Sequence, residues 1–392
     1  MAFQLSPGVQ VTERDLTSVV PAVGTSIGGT AGEFSWGPAN EVVSISSENE
    51  LVSVFGKPST DATKNRTWFA AASFLAYTSS LKVVRGLDKS AALNAGSTAG
   101  ILIENKDKFN ALSSPANGMF AAKYAGALGN SLKVSMADSS NFAAWAYKGQ
   151  FDYAPSATVY GTSKGASVDE LHIIVIDEDG EITGTAGTVL EKFAGVSKAS
   201  DATDSVGQSN YYGSVLNNRS KYIWLTNQPA AVGNNWGTLA SGVTFTSDAT
   251  AGELTVSLTG GANGTIDDAD RQTAFSLLAN DELVDVNLIF VGDASATVGD
   301  YVIDNVAEIR KDCMVFVSPA AASVVNNTGG EAAAIVAEVS SYTRSSYAVM
   351  DSGYKYMYNR YYDQYVWVPC NGDVAGVCAS TDNIADPWFS PA

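Results

Sequence analysis

Between Asp267 and Pro319 two amphipathic segments alternate with two short apolar runs. DDADRQTAFSLLAND places Ala274, Phe275 and Leu278 on one helical face, and YVIDNVAEIRKD does the same with Val302, Val306 and Ile309. DVNLIFVGD and CMVFVSP are nearly unbroken apolar runs, as expected of strands buried on both faces. This alternation predicts parallel strands joined by crossover helices, the core of an α/β unit. The remaining chain must be placed around it.

The stretch from Pro21 to Asp88 reads as more of the same unit. It offers a Gly-rich strand, a Trp36-Gly37-Pro38 turn, a strand at Val42 to Ile45, and a helix from Ser47 with Glu50 placed as in a capping box. KNRTWFAAASFLAY predicts a helix with Trp68, Ala72, Leu75 and Ala76 on one face, and LKVVRGLD a returning strand. From Lys89 to Leu283 the texture changes to Ala, Gly, Ser and Thr, with strands at SLKVSMA, LHIIVIDEDGEITGT, SKYIWLT and GELTVSLTGG and a short helix around Val189 to Ala194. A chain that leaves one core and later returns to it carries an inserted part. The expected division is therefore an arm at 1–20, a split α/β core at 21–88 plus 284–392, and a mainly β insertion at 89–283.

Beyond Pro319, GGEAAAIVAEVSSYTR predicts a helix with Ala332, Ile335, Val336 and Val339 inward. YAVMDSGYKYMYNRYYDQYVWVP predicts a Tyr-rich strand pair turning near Asn359 to Asp363. The tail GDVAGVCASTDNIADPWFSPA gives no recognisable domain end, and a stop at Pro391-Ala392 reads as a truncation. The N-terminal arm carries Ser6-Pro7-Gly8 as a turn, then VQVTERD with Val9 and Val11 on one face. It is either an edge or frayed strand of its own sheet, or an arm adding a strand to a neighbour.

Composition removes several function classes. A formal charge of −18, with no cluster of Lys or Arg, argues against nucleic-acid or anionic-membrane partners. There is no cationic, apolar leader at the N-terminus and no apolar run of membrane-spanning length. Cys313, Cys370 and Cys378 lack CxxC spacing and read as packed thiols of a reducing compartment. The single histidine, His172, sits in a strand beside a turn and reads as a half-exposed packing residue, with no nucleophile motif beside it.

Asp177, Asp179 and Glu181 around Gly180 resemble the start of a calcium loop. They lack the closing Glu, so an Asp-Gly hairpin turn accounts for them better. After DVNLIFVGD there is no GxGxxG, and Asp293 stands where a phosphate would lie. Gly260, Gly261 and Gly264 precede no P-loop lysine; a turn and an Asp N-cap explain them. No catalytic, cofactor or metal constellation survives. What remains is the aromatic density from Tyr342 to Tyr365 with Trp367 and Trp388, which suits core packing or a protein interface.

Six segments together resemble the contractile bacteriophage tail sheath proteins, especially those of the T-even-like phages. They are SPGVQVTE (Ser6 to Glu13), GEFSWGPANEV with VFGKP (Gly32 to Val42, Val54 to Pro58), LKVVRGLD (Leu81 to Asp88), KYAGALGNSLKV (Lys123 to Val134), LTGGANG (Leu258 to Gly264) and VPCNGDVAGVCASTDNIADPWFSPA (Val368 to Ala392). The resemblance implies an α/β core split by outward-facing insertions, the outermost reduced here to a loop within Ala91 to Met119. It also implies a tube-facing C-terminal region and second arm beyond Ala392. By the same resemblance, Ser6, Pro7, Gly8, Val9, Val11 and Glu13 donate a strand to a neighbouring subunit.

The implied function is a sheath subunit that polymerises helically around an inner tail tube and contracts to drive it through the host envelope. Its partners would be its own copies, the tube protein, and baseplate and tail terminator proteins, with no cofactor, nucleic acid or membrane insertion. It would reside in the virion after assembly in the host cytoplasm. The alternatives are another virion protein, such as a baseplate or decoration protein, a subunit of a bacteriocin-like contractile particle, or an α/β enzyme with an unfamiliar site.

Overall fold

The computed structural model describes residues 27–113, 116–228, 235–246, 254–385 and 389–391. The strands, in chain order, are β1 (Gly28–Gly32), β2 (Val42–Ile45), β3 (Leu81–Arg85), β4 (Phe120–Ala122), β5 (Leu132–Ala137), β6 (Glu170–Asp177), β7 (Thr188–Ser197), β8 (Ile223–Leu225), β9 (Leu254–Ser257), β10 (Leu288–Phe290), β11 (Met314–Val317), β12 (Ala348–Met350), β13 (Tyr354–Asn359) and β14 (Gln364–Pro369).

Six of these form one sheet in the order β12-β11-β10-β1-β3-β2. All its pairings are parallel except β2 on β3. The two chain stretches therefore meet at the centre, where β1 pairs with β10, although Gly32 at the end of one and Leu288 at the start of the other lie 256 positions apart in sequence. Alternate residues divide the core between the faces. Leu81, Val83, Phe290 and Phe316 pack with Phe69 and Phe74 of the Arg66–Leu75 helix and Ala375 and Ala379 of the Asn371–Ile384 helix. Val84, Ile289, Val315 and Val317 pack on the other face, with Ala274 and Phe275 of the Asp268–Ser276 helix and with Val298, Val302 and Val306. The central strand is GGTAG because its neighbours leave no room: a Cβ on Gly28 would stand 2.3 Å from the Phe74 ring.

Between β3 and β10 the chain builds an antiparallel sheet in the order β7-β6-β5-β9 and a separate β4-β8 pair. Leu132, Val134, Leu171, Ile173 and Val175 pack there with Tyr212 and Leu216 of the Tyr212–Arg219 helix. The outgoing and returning strands run side by side, with Leu93 and Ala262 exchanging both backbone hydrogen bonds at 2.9 Å. Arg85, fully buried at the end of β3, donates to the carbonyls of Phe34, Gly37 and Ala125, so one guanidinium ties the first sheet to the intervening segment. Burial lowers its pKa to about 10.

Several expectations are corrected. The helix placed at Val189 to Ala194 is strand β7, because pairing with β6 along its length overrides the helix-compatible residues Leu190, Glu191 and Lys192. The loop joining β6 to β7 runs from Glu178 to Gly187, longer than a two-residue Asp-Gly turn. Glu50 does not complete a capping box at Ser47: Ser47 Oγ accepts the Glu50 N–H, but the Glu50 carboxylate takes the N–H and hydroxyl of Ser46. The true box is Asp267 with Asp270.

The Arg66–Leu75 helix is buried almost all round, while Ala72 and Leu75 are only half-buried. Ile309 faces solvent because the helix starting at Ala296–Val302 passes through a π turn at Ile303–Ala307, which brings Arg310 inward instead. YAVM does not join the Tyr-rich hairpin; Ala348–Met350 is the edge of the six-stranded sheet. GDVAGVCASTDNI lies within the 14-residue Asn371–Ile384 helix. The stretch from Ala91 to Met119 contains the short Lys106–Asn110 helix, capped by Asn105, so it is more than a loop.

Candidate functional site

The hairpin of β13 and β14 concentrates the aromatic residues. Its residues alternate sides as strands must, so Lys355, Met357, Val366 and Val368 face inward while Tyr356, Tyr358, Tyr365 and Trp367 face out. The hairpin is fixed at several points. Val366 and Val368 pack into the core beside Phe69 and Phe74. Lys355 Nζ donates to Ser73 Oγ at 2.7 Å and to Asp373 Oδ1 at 2.8 Å. Tyr354 Oη donates to Asp293 Oδ1 at 2.9 Å, and Arg66 pairs with the other oxygen at 3.1 Å. Burial, with Asp293 beside it, raises the Tyr354 pKa well above the usual tyrosine range, so it stays a donor. Asp293 thus pins the hairpin and the start of the Arg66–Leu75 helix.

On the outer face Tyr356 stands opposite Trp367 and Tyr358 opposite Tyr365. Their ring centroids are 4.8 and 5.5 Å apart, and Tyr356 also stacks on Tyr365 at 5.1 Å. These four side chains remain 58%, 48%, 59% and 37% exposed in the order Tyr356, Tyr358, Tyr365 and Trp367. These rings are therefore not core packing, and contiguous exposed aromatic surface is the kind that marks contact sites in other proteins. The alternation YKYMYN and QYVWVP carried the signal, which an aromatic count alone does not resolve. A second apolar face lies on the Glu331–Val339 helix, where Ala332, Val336 and Val339 are exposed, against the expectation that they point inward.

The sites named from sequence fall elsewhere. Ser6, Pro7, Gly8, Val9, Val11 and Glu13, like Trp388, lie outside the described residues. His172 is fully buried and not half-exposed. Its Nδ1 accepts the Gly195 N–H at 3.0 Å, which leaves Nε2 protonated to donate to the Tyr153 carbonyl at 2.9 Å. The ring stacks on Phe151 at 4.4 Å, so both ring nitrogens and one ring face are taken up by packing.

The carboxylate of Asp177 turns into its own loop and accepts from Ser131 Oγ, from the N–H groups of Gly180, Ile182 and Thr183, and from Thr183 Oγ1. Asp179 and Glu181 point to solvent, and no group of three metal-ligating side chains converges among the described residues. Gly260 and Gly264 sit at positive φ in the returning loop, packed beside Gly100 and Asp88. Cys313 is buried, and burial raises its thiol to about 11, well away from reactive thiolate character.

Comparison with known proteins decides what kind of chain presents these surfaces. The profile of the tail sheath protein Gp18 domain III N-terminal region matches residues 25–85, the stretch that supplies β1 to β3. The tail sheath protein of Salmonella phage ViI is 29% identical over 100% of this chain and 72% of its own length. That of Vibrio phage KVP40 is 26% identical over 99% of this chain and 75% of its own, and that of Enterobacteria phage T4 is 24% identical over 99% and 74%. Along essentially its whole length the chain is similar to phage tail sheath proteins. Those relatives are structural tail sheath proteins of phage virions, not enzymes, and their likeness supports a structural tail sheath subunit in a multi-subunit assembly. Sheath tail proteins from Desulfitobacterium hafniense and Listeria innocua align with 95% and 91% of this chain, at 13% and 14% identity and TM-scores of 0.47 and 0.45. This chain spans 62% and 56% of those two, and likeness at that level carries no weight here.

Proposed function

We propose that this chain is a tail sheath subunit that polymerises helically around an inner tail tube, and that the assembled sheath contracts to drive the tube through the host envelope. What carries the reading is the alignment of essentially the whole chain with three phage tail sheath proteins. Its parts are then the arm at 1–20, the split core at 21–88 plus 284–392 and an outward-facing insertion at 89–283. The arm, through Ser6, Pro7, Gly8, Val9, Val11 and Glu13, adds a strand to a neighbour's sheet, a contact rich in backbone hydrogen bonds that survives rotation of the subunits.

A contact between unlike faces does not close on itself and propagates as an open helix. Contraction requires two packings of one subunit, the extended one kinetically trapped, and needs no nucleotide. The partners are further copies, the tube protein, and baseplate and tail terminator proteins, met in the host cytoplasm during assembly. The test is electron microscopy of particles assembled with the full chain or with a chain lacking Met1 to Val20. The reading expects sheathed tails from the first and bare tubes from the second; intact sheaths from the shortened chain would remove the arm's role.

A further inference from the structure

We propose that the cavity between the carboxyl ends of β1 and β3 binds a small monatomic anion, of the size and charge of chloride. The cavity measures about 40 Å³ and lies where Glu33 follows β1 and Arg85 ends β3, with Ser59, Lys64 and Asn263 in its polar wall. That volume holds a few water molecules or one small ion. It is far below the roughly 300 Å³ at which pockets for drug-sized or cofactor ligands begin.

What distinguishes this wall is its unspent donors. Arg85 is 2% exposed, and of the five N–H groups of its guanidinium three give to the carbonyls of Phe34, Gly37 and Ala125 while two meet no acceptor among the described residues. Asn263 Oδ1 accepts the Ala127 N–H at 2.8 Å, which fixes the amide and leaves its Nδ2 donors free among the described residues. Ser59 Oγ accepts the Asp61 N–H at 3.1 Å and keeps its own proton to give. The carboxylate in the wall is that of Glu33, and Lys64 holds it at 3.2 Å. Arg85 thus stays a buried cation without an ion pair among the described residues, whereas buried charges are normally paired. An anion accepts from all of these donors; a water molecule must also find acceptors for its own two protons. A bound ion touches the ends of both strands, the segment entering the Arg66–Leu75 helix and the chain returning from the insertion, and so fastens the junction that Arg85 spans. The site is complete within one subunit and independent of its assembly.

The test uses the unassembled full chain. Crystals grown in sodium bromide and measured at the bromine absorption edge should show an anomalous peak within hydrogen-bond reach of Arg85. In solution, exchanging gluconate, too large for the cavity, for chloride at constant ionic strength should raise the melting temperature by roughly 2–4 °C. Lys64→Gln, which leaves Glu33 unpaired beside the anion, should abolish that rise, and Glu33→Gln, which removes the competing carboxylate, should enlarge it. Bulk salt effects act alike on all three proteins. Solvent density without anomalous signal overturns the inference, as does an equal chloride response in the three proteins. A bromide peak with no chloride-dependent stability would mark an adventitious ion only, and overturns it as well.

Discussion

Arg85 shows how much of this subunit hangs on single buried polar groups. Among the described residues its guanidinium forms no ion pair with a carboxylate; it satisfies three carbonyls drawn from both sides of the junction. Arg85→Met keeps the bulk but orphans those oxygens, so urea titration should find roughly 3 kcal/mol of lost stability. If the variant unfolds at the wild-type midpoint, the junction is held by something else. Asp177 makes the matching case for an anion. Burial pushes its carboxyl up, but the hydrogen bonds from Ser131, Thr183 and Ile182 outweigh that and leave it below its ordinary value of 3.8. A depressed carboxyl pKa contributes stability that is complete above 3.8 and lost as pH falls through the folded value. Asp177→Asn should therefore lower the melting temperature at neutral pH and flatten its fall below about pH 4. Parallel pH curves for the two proteins would contradict that assignment.

Among the elements, the Asn371–Ile384 helix is the least expected. Gly372 and Gly376, with Ser, Thr, Asn and Asp between and beyond them, give it poor intrinsic propensity, and close packing sustains it. A Cβ on Gly372 would stand 2.3 Å from the backbone oxygen of Ala70 in the Arg66–Leu75 helix. Gly372→Ala should thus destabilise by roughly 1–3 kcal/mol, despite a gain of about 1 kcal/mol in propensity; a stabilised variant would show the two helices to be loosely packed.

The same contrast marks what was legible in the sequence. Apolar runs such as LIF and MVFV announced β10 and β11, and Ala274, Phe275 and Leu278 announced their helix, because burial on both sides leaves a local pattern. The π turn left no such pattern, so Ile309 and Arg310 exchanged places. Nor does periodicity say whether an apolar stripe meets its own chain: Val336 and Val339 have helical spacing yet remain exposed. The aromatic hairpin was legible as a strand pair, but the sequence reading left open whether its rings pack in a core or face outward, and the arm residues Ser6 to Glu13 stay a reading of sequence alone.

At the scale of the whole molecule the governing quantity is charge. Each chain carries −18, so close packing of copies is opposed by repulsion that salt screens within about 8–10 Å at physiological strength. Sedimentation velocity should show association strengthening as monovalent salt rises or divalent cations are added; indifference to salt would mean that charge does not limit the interface. The central claim, that this chain forms the contractile outer layer of a tail, is reached most directly by immunogold electron microscopy of particles from the source lysate, using an antibody to this chain. The account predicts gold along the whole length of an outer tail layer, crowded into a shorter and thicker one after contraction. Gold restricted to the head or the tail tip would contradict it.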